Sequence, residues 1–161
     1  LGGGVFPLAA LIADERLNVA GDKALGHYTH EKNPVACAAA LATIRIIESE
    51  NLAGHAAEVG RHALDRMRRM MDEHPIIGDV RCKGCLMGVE LVKDKGTKEP
   101  FAEAGKLVYQ GAFRKGLAWI PAGHILRMSP PIVMDLDVAA KCMDIIDETI
   151  GEVEKKMGYA T

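Results

Sequence analysis

Leu1-Gly2-Gly3-Gly4-Val5-Phe6-Pro7 runs without a break into Leu8-Ala9-Ala10-Leu11-Ile12-Ala13, and this stretch decides what kind of fold the rest belongs to. Three glycines at a free terminus would make a flexible tail, an odd neighbour for a strand. Inside a longer chain the same glycines make a turn where backbone passes close to a ligand or to another segment, because glycine lacks the Cβ that would obstruct it. With no initiator methionine and no lead-in, the stretch is expected to continue a longer chain. Residues 8–13 are a short apolar run, expected to form a buried strand, although periodicity alone does not separate such a run from a helical segment.

Downstream, a polar loop carries His27-Tyr28-Thr29-His30-Glu31-Lys32, and Asn33-Pro34 signals a helix start. Asparagine caps the free N–H groups of the first turn, and proline there costs no hydrogen bond. The helix, Val35 to about Glu48, is rich in alanine and carries Cys37, Leu41, Ile44 and Ile47. Small and apolar on most sides, it must pack against structure on several of them. A second helix is expected from Leu52 to Asp72, with Leu52, Ala56, Val59, Ala63, Met67 and Met70 at three- and four-residue spacings and Pro75 closing it. Its methionines read as core filler.

Ile76–Arg81 and Leu86–Val92 look like paired strands around a glycine-containing connection, followed by a loop from Lys93 to Pro100. An amphipathic stretch with Ala104, Leu107, Val108 and Ala112 stops at Gly116. Short strands are expected at Leu117–Ile120 and Ile125–Met128. A last helix, about Asp137 to Met157, should bury Val138, Cys142, Ile145, Ile146, Ile150 and Val153 on one stripe. Two pieces result: residues 1–50, apolar on too many sides to be complete alone, and residues 51–161, an α+β domain.

The 161 residues carry 20 Lys+Arg against 22 Asp+Glu, so no strong overall field favours nucleic acid or a membrane surface. Arg61, Arg66, Arg68 and Arg69 alternate with His62, Asp65 and Asp72 and read as a solvated helix face. No apolar run reaches the length of a membrane span. Cys82-Lys83-Gly84-Cys85 has the form of a metal or redox pair, but a closed zinc site needs four ligands and no second close pair exists. The cysteines are therefore expected to be core or near-core thiols, in a cytoplasmic setting, with no metal site.

Three places can carry chemistry. Thr29, in a polar loop before a helix N-terminus, can meet an anion through its hydroxyl, the backbone N–H groups and the helix dipole, or can simply be a loop residue near a cap. His27 and His30 lack the further acid or histidine that would make them metal ligands. Arg127 interrupts the apolar Ile125-Leu126-Arg127-Met128 and precedes Ser129-Pro130-Pro131. Its planar fork either grips a carboxylate or closes an internal salt bridge. Arg81, beside Cys82-Lys83-Gly84, is expected to support the turn.

Taken in order, these blocks resemble the C-terminal portion of class III aminotransferases. Leu1 to Ala10 resembles the stretch that follows the cofactor lysine. Thr29-His30-Glu31-Lys32-Asn33-Pro34, Ile77 to Glu90 with its Arg81-Cys82-Lys83-Gly84, Thr97-Lys98-Glu99-Pro100 and Ile125 to Pro131 follow at family spacing. The resemblance implies an α/β, fold-type-I architecture dependent on pyridoxal 5′-phosphate. Here residues 1–50 would end the large cofactor domain and residues 51–161 would form the small C-terminal domain. It also implies a homodimer with active sites at the subunit interface, acting on amino acids or amines and 2-oxo acids. Gly3 and Gly4 then lie beside the cofactor, Thr29 reaches its phosphate in the neighbouring subunit, and Arg127 holds the substrate carboxylate. No catalytic residue lies in this segment, because the Schiff-base lysine is expected just upstream of Leu1.

Two departures accompany the resemblance. The family's usual Thr-[Phe/Tyr]-Gly-Gly-Asn-Pro is here Thr29-His30-Glu31-Lys32-Asn33-Pro34, which places bulk and charge near the interface. The common Arg-Gly-x-Gly-Leu is Arg81-Cys82-Lys83-Gly84-Cys85. The expected reaction is transamination. The alternatives are racemisation, decarboxylation or ammonia elimination on an amino acid or aminophosphonate and, from another class altogether, a non-catalytic interaction module.

Overall fold

The computed structural model describes residues 1–23, 26 and 28–159; His27 lies outside the described residues. The chain divides into two compact units, Leu1–Leu52 and Ala53–Thr161.

The first unit begins with the glycine turn, passes through one turn of 3-10 helix at Glu15–Leu17, and ends in helix α1, Pro34–Ser49. Asn33 caps α1 as its sequence signal requires: Oδ1 accepts from the N–H of Val35 at 2.9 Å and of Ala36 at 3.3 Å. Ala36 and Ala40 are buried, whereas Val35, Leu41, Ile44 and Ile46 are exposed. The buried strand expected at residues 8–13 is not formed, and Leu11 and Ile12 are 92% and 95% exposed. A strand is stabilised by the ladder to a neighbour, and among the described residues none pairs with this segment. Its apolar composition is that of a strand without a partner.

The second unit is a helical layer on an antiparallel sheet. Helix α2 spans Leu52–Glu73, starting at the unit boundary, followed by β1 (Ile77–Lys83), β2 (Leu86–Leu91), α3 (Ala102–Arg114), β3 (Ile125–Met128) and α4 (Leu136–Met157). The strands lie in the order β1-β2-β3. On β2, Met87, Val89 and Leu91 are buried, and on β3, Leu126 and Met128 are. The register pairs Met87 with Met128 and Val89 with Leu126, so these alternate side chains share one face. From α2, Val59, Ala63, Met67 and Met70 join them in one core, as do Ala104 and Val108 of α3 and Met143, Ile146, Ile150 and Val153 of α4.

Two expectations need correction. Leu117–Ile120 is not a strand: the sheet ends at β3, and this segment instead packs Leu117 and Trp119 against the core, with the Trp119 ring edge-on to Tyr109 at 5.4 Å. Val138 is exposed and Cys142 and Ile145 are only partly buried, because the α4 stripe enters the core through Ala139 and Met143; from Ile146 on, through Ile150 and Val153, it runs as expected. The basic face of α2 is solvated at Arg61, Arg68 and Arg69. Arg66 is half-buried and paired with acids of α4.

The approach of α3 to the turn before β3 depends on Gly105. A Cβ built there would stand 2.0 Å from the carbonyl oxygen of Gly123, inside any tolerable contact. Alanine in an open helix interior gains about 0.5–1 kcal/mol over glycine. Gly105→Ala is expected to do the opposite and cost about 1–3 kcal/mol, because the rigid turn must move. Urea denaturation of the variant against the parent checks the sign.

Candidate active site

In the first unit the glycine turn is built by backbone. Gly2 accepts from the N–H of Val5 and of Phe6, both at 3.1 Å, and Gly3 and Gly4 take left-handed φ values of 63° and 77°. A Cβ on Gly3 would stand 2.9 Å from Oγ1 of Thr43 on α1. The turn therefore lies directly against α1 and tolerates no side chain at Gly3. Thr43 is held by its own bond to the Ala39 carbonyl at 2.9 Å. Nothing in the sequence pattern singled out Thr43, since a threonine in an alanine-rich helix carries no signal of what lies across from it.

Thr29 sits in the exposed turn that leads to the Asn33 cap, where Glu31 N–H donates to the Tyr28 carbonyl at 3.0 Å. Among the described residues its hydroxyl takes part in no hydrogen bond, so it is available to a ligand oxygen. The left-handed backbone at the glycine turn, the unengaged hydroxyl at Thr29 and the capped helix start at Asn33 are each compatible with a phosphate-bearing group, taken singly.

Arg127 belongs to the second unit. Because Leu126 and Met128 face the core, the pleat puts Arg127 on the opposite, open face of the sheet. There it lies in register with Gly88 of β2, which in turn is opposite Arg81 of β1. The open face also carries two acids, Asp79 and Glu90. Arg81 takes both, Nε to Asp79 at 3.1 Å and Nη2 to Glu90 at 3.5 Å, and His124 stands 3.6 Å from the other Glu90 oxygen. Both acids are thus engaged, and among the described residues Arg127 forms no ion pair. Of the two roles its chemistry allowed, the internal salt bridge is not formed among the described residues, which leaves the guanidinium fork unengaged.

Beside Arg127, a cavity of about 280 Å³ is lined by Met87, Trp119, Met134 and Cys142, among others, and by the rigid Ser129-Pro130-Pro131. The cavity was not readable from sequence, because it depends on the 117–120 segment leaving the sheet. Burial pushes the thiols of Cys82, Cys85 and Cys142 up, which keeps them protonated and poor nucleophiles. Cys82 donates instead to the carbonyls of Gly60 at 3.3 Å and Gly84 at 3.2 Å. No helix among the described residues is long and apolar enough to cross a membrane.

The family profile for class-III aminotransferases matches residues 1–150. (R)-1-hydroxy-2-aminoethylphosphonate ammonia-lyase of Vibrio splendidus (strain 12B01) is 39% identical over 160 residues, 98% of this chain and 33% of the relative. Isoleucine 2-epimerase of Lentilactobacillus buchneri is 39% identical over 150 residues, 92% of this chain and 33% of the relative. Among solved structures, the omega transaminase of Pseudomonas jessenii in complex with PMP superposes with a TM-score of 0.78 at 27% identity, covering 86% of this chain and 31% of that one. The chain thus spans about a third of the length of the curated relatives it matches.

An unpaired surface arginine contributes little to folding. Arg127→Ala is therefore expected to change unfolding free energy by no more than about 0.5 kcal/mol. Chemical denaturation of the two proteins measures it, and a loss well above that would make Arg127 a structural residue.

Proposed function

Because the chain belongs to the class-III aminotransferase family, we propose that it supplies the C-terminal part of a dimeric enzyme acting on an acid-bearing amino compound. The fold is that of a fold-type-I transferase and the cofactor is pyridoxal 5′-phosphate. Residues 1–50 end the large cofactor domain and residues 51–161 form the small domain, with the cofactor lysine upstream of Leu1. When bound, the cofactor supplies an electron sink for the carbon that carries the amino group.

The residues of this chain bind and orient. Thr29 donates its hydroxyl to a phosphate oxygen of the cofactor in the neighbouring subunit. Gly3 and Gly4 let backbone approach where a side chain would intrude. Arg127 takes the acid group of the substrate through its fork, which suits carboxylate and phosphonate alike. The single observation that carries the assignment is the unpaired state of Arg127 on a sheet face whose two acids are engaged elsewhere.

For the outcome of the reaction, loss of ammonia or inversion at the substrate carbon is favoured over transfer of the amino group. The ammonia-lyase match extends over 98% of the chain at 39% identity, and the epimerase stands at the same identity. Glu31-Lys32 supports a departure from the usual aminotransferase pattern, since it puts bulk and charge where that pattern has two glycines. Transamination is the second reading, favoured by the superposed omega transaminase.

A product assay on the full-length dimer with amino acids and aminophosphonates, and no oxo acid, tests this. Sustained release of ammonia or of inverted substrate is expected. A single equivalent of oxo product that stops until oxo acid is added would instead establish transamination. In the same protein, Thr29→Ala is expected to weaken cofactor retention by about 1–3 kcal/mol, the scale of a charge-assisted hydrogen bond. Mixed dimers should restore one site, and unchanged retention would remove Thr29 from the cofactor contact.

A further inference from the structure

Helix α2 gives way to β1 at His74-Pro75-Ile76, and α4 runs past this junction with Asp147, Gly151 and Glu154. The His74 side chain is 12% exposed, and both ring nitrogens are taken. Nδ1 stands 2.6 Å from Oε2 of Glu154 and Nε2 stands 2.7 Å from Oδ1 of Asp147. Gly151 lies between the two acids, its built Cβ position 3.8 Å from the ring carbon Cε1. Glu154 is buried, and its other oxygen accepts from the Ile76 N–H at 3.4 Å. The other oxygen of Asp147 is held by Arg66 of α2, which also reaches Asp144 at 3.3 Å.

Ionised carboxylates have no proton to give, so each of the two ring contacts needs an N–H on the histidine. A neutral imidazole has one N–H and an imidazolium has two. A neutral ring would therefore turn a lone pair toward a carboxylate in a site largely closed to water. The buried charges agree: with Asp144 largely in solvent, Arg66 and an imidazolium balance Asp147 and Glu154, whereas a neutral ring leaves one buried negative charge uncompensated.

We propose that His74 is a protonated clamp joining the α2–β1 junction to α4, and that deprotonation loosens the second unit. The same two helices supply Ala63, Cys142, Met143 and Ile146 to the cavity beside Arg127, so the clamp also sets the spacing of its walls. Neither the clamp nor its pH response depends on which reaction the enzyme performs.

Burial pulls the His74 ring toward neutrality, but the Glu154 and Asp147 carboxylates outweigh it, so the ring titrates above the ordinary histidine range. A group raised in the folded state contributes stability that is fully present below the unfolded histidine value, about 6.5. That contribution is lost as pH rises through the folded value.

Nitrogen-15 spectra of the full chain with labelled histidine test the proposal directly. Both His74 nitrogens are expected to carry protons near neutral pH, with a titration above that of the exposed histidines. A neutral tautomer there, with the proton on Glu154 instead, would overturn the clamp. In parallel, His74→Gln should melt about 4–8 °C below the parent at mildly acidic pH, and the gap should close as pH rises. A gap that stays constant with pH would contradict the proposal. Should His74→Gln fail to fold, Asp147→Asn decides: it removes one carboxylate and must move the histidine titration to lower pH, and an unmoved titration overturns the assignment.

Discussion

In the second unit, the three strands are covered by helices on one face only. Met87, Val89 and Leu91 of β2 and Leu126 and Met128 of β3 enter the core, and their alternates have no choice but to face the other way. That alternation is what leaves Arg127 free. A one-residue slip of β3 would bury the guanidinium among α2, α3 and α4 and expose Leu126, an error that burial of the apolar residues penalises at every position of the strand. The register also sets Gly88 beside Arg127, where a larger residue would fill the open face. The engagement of Asp79 and Glu90 with Arg81 and His124 completes the isolation. Core packing and the exposure of an unpaired Arg127 are thus two results of a single pleat.

The first unit has a different economy. Its helix α1 buries Ala36 and Ala40 and presents larger apolar side chains outward, while residues 8–13 form no strand. What is well determined there is local: the Asn33 cap, the left-handed Gly3 and Gly4, and the contact of the glycine turn with Thr43. These are backbone features, set by a few residues without help from a distant core.

What the sequence made legible follows the same division. Helices α1, α2, α3 and α4 and the β1–β2 hairpin were readable because caps, glycine stops and three- or four-residue spacing are written into consecutive residues. Residues 8–13 misled, because an apolar run states that a segment wants burial without stating whether a partner strand is present. Leu117–Ile120 misled for a related reason: the sheet ends at β3, and Trp119 finds Tyr109 instead of a ladder. Val138 shows the limit of helical periodicity: over the first two turns of α4 a stripe displaced by one residue, through Ala139 and Met143, fits the pattern almost as well. At the site, the choice between a free and a paired Arg127 was open in sequence. Closing it required knowing that Asp79 and Glu90 share a face with Arg81. The period-2 placement of Asp79 and Arg81 on β1 held part of that information, but the pairing of β1 with β2, which sets Glu90 opposite Asp79, was needed to complete it. His74 with Asp147 and Glu154 lay further from reach, because its partners are more than seventy residues away and come together only when α4 crosses the α2–β1 junction.

The proposal that Arg127 receives an anion is tested most directly by a crystal structure of the proposed full-length dimer with its cofactor and an unreactive acid-bearing substrate analogue. The guanidinium of Arg127 should make two parallel hydrogen bonds to the acid group, with Arg81 still paired to Asp79 and Glu90. An acid group bound elsewhere, with Arg127 turned into an ion pair within its own sheet, would contradict the assignment of this site.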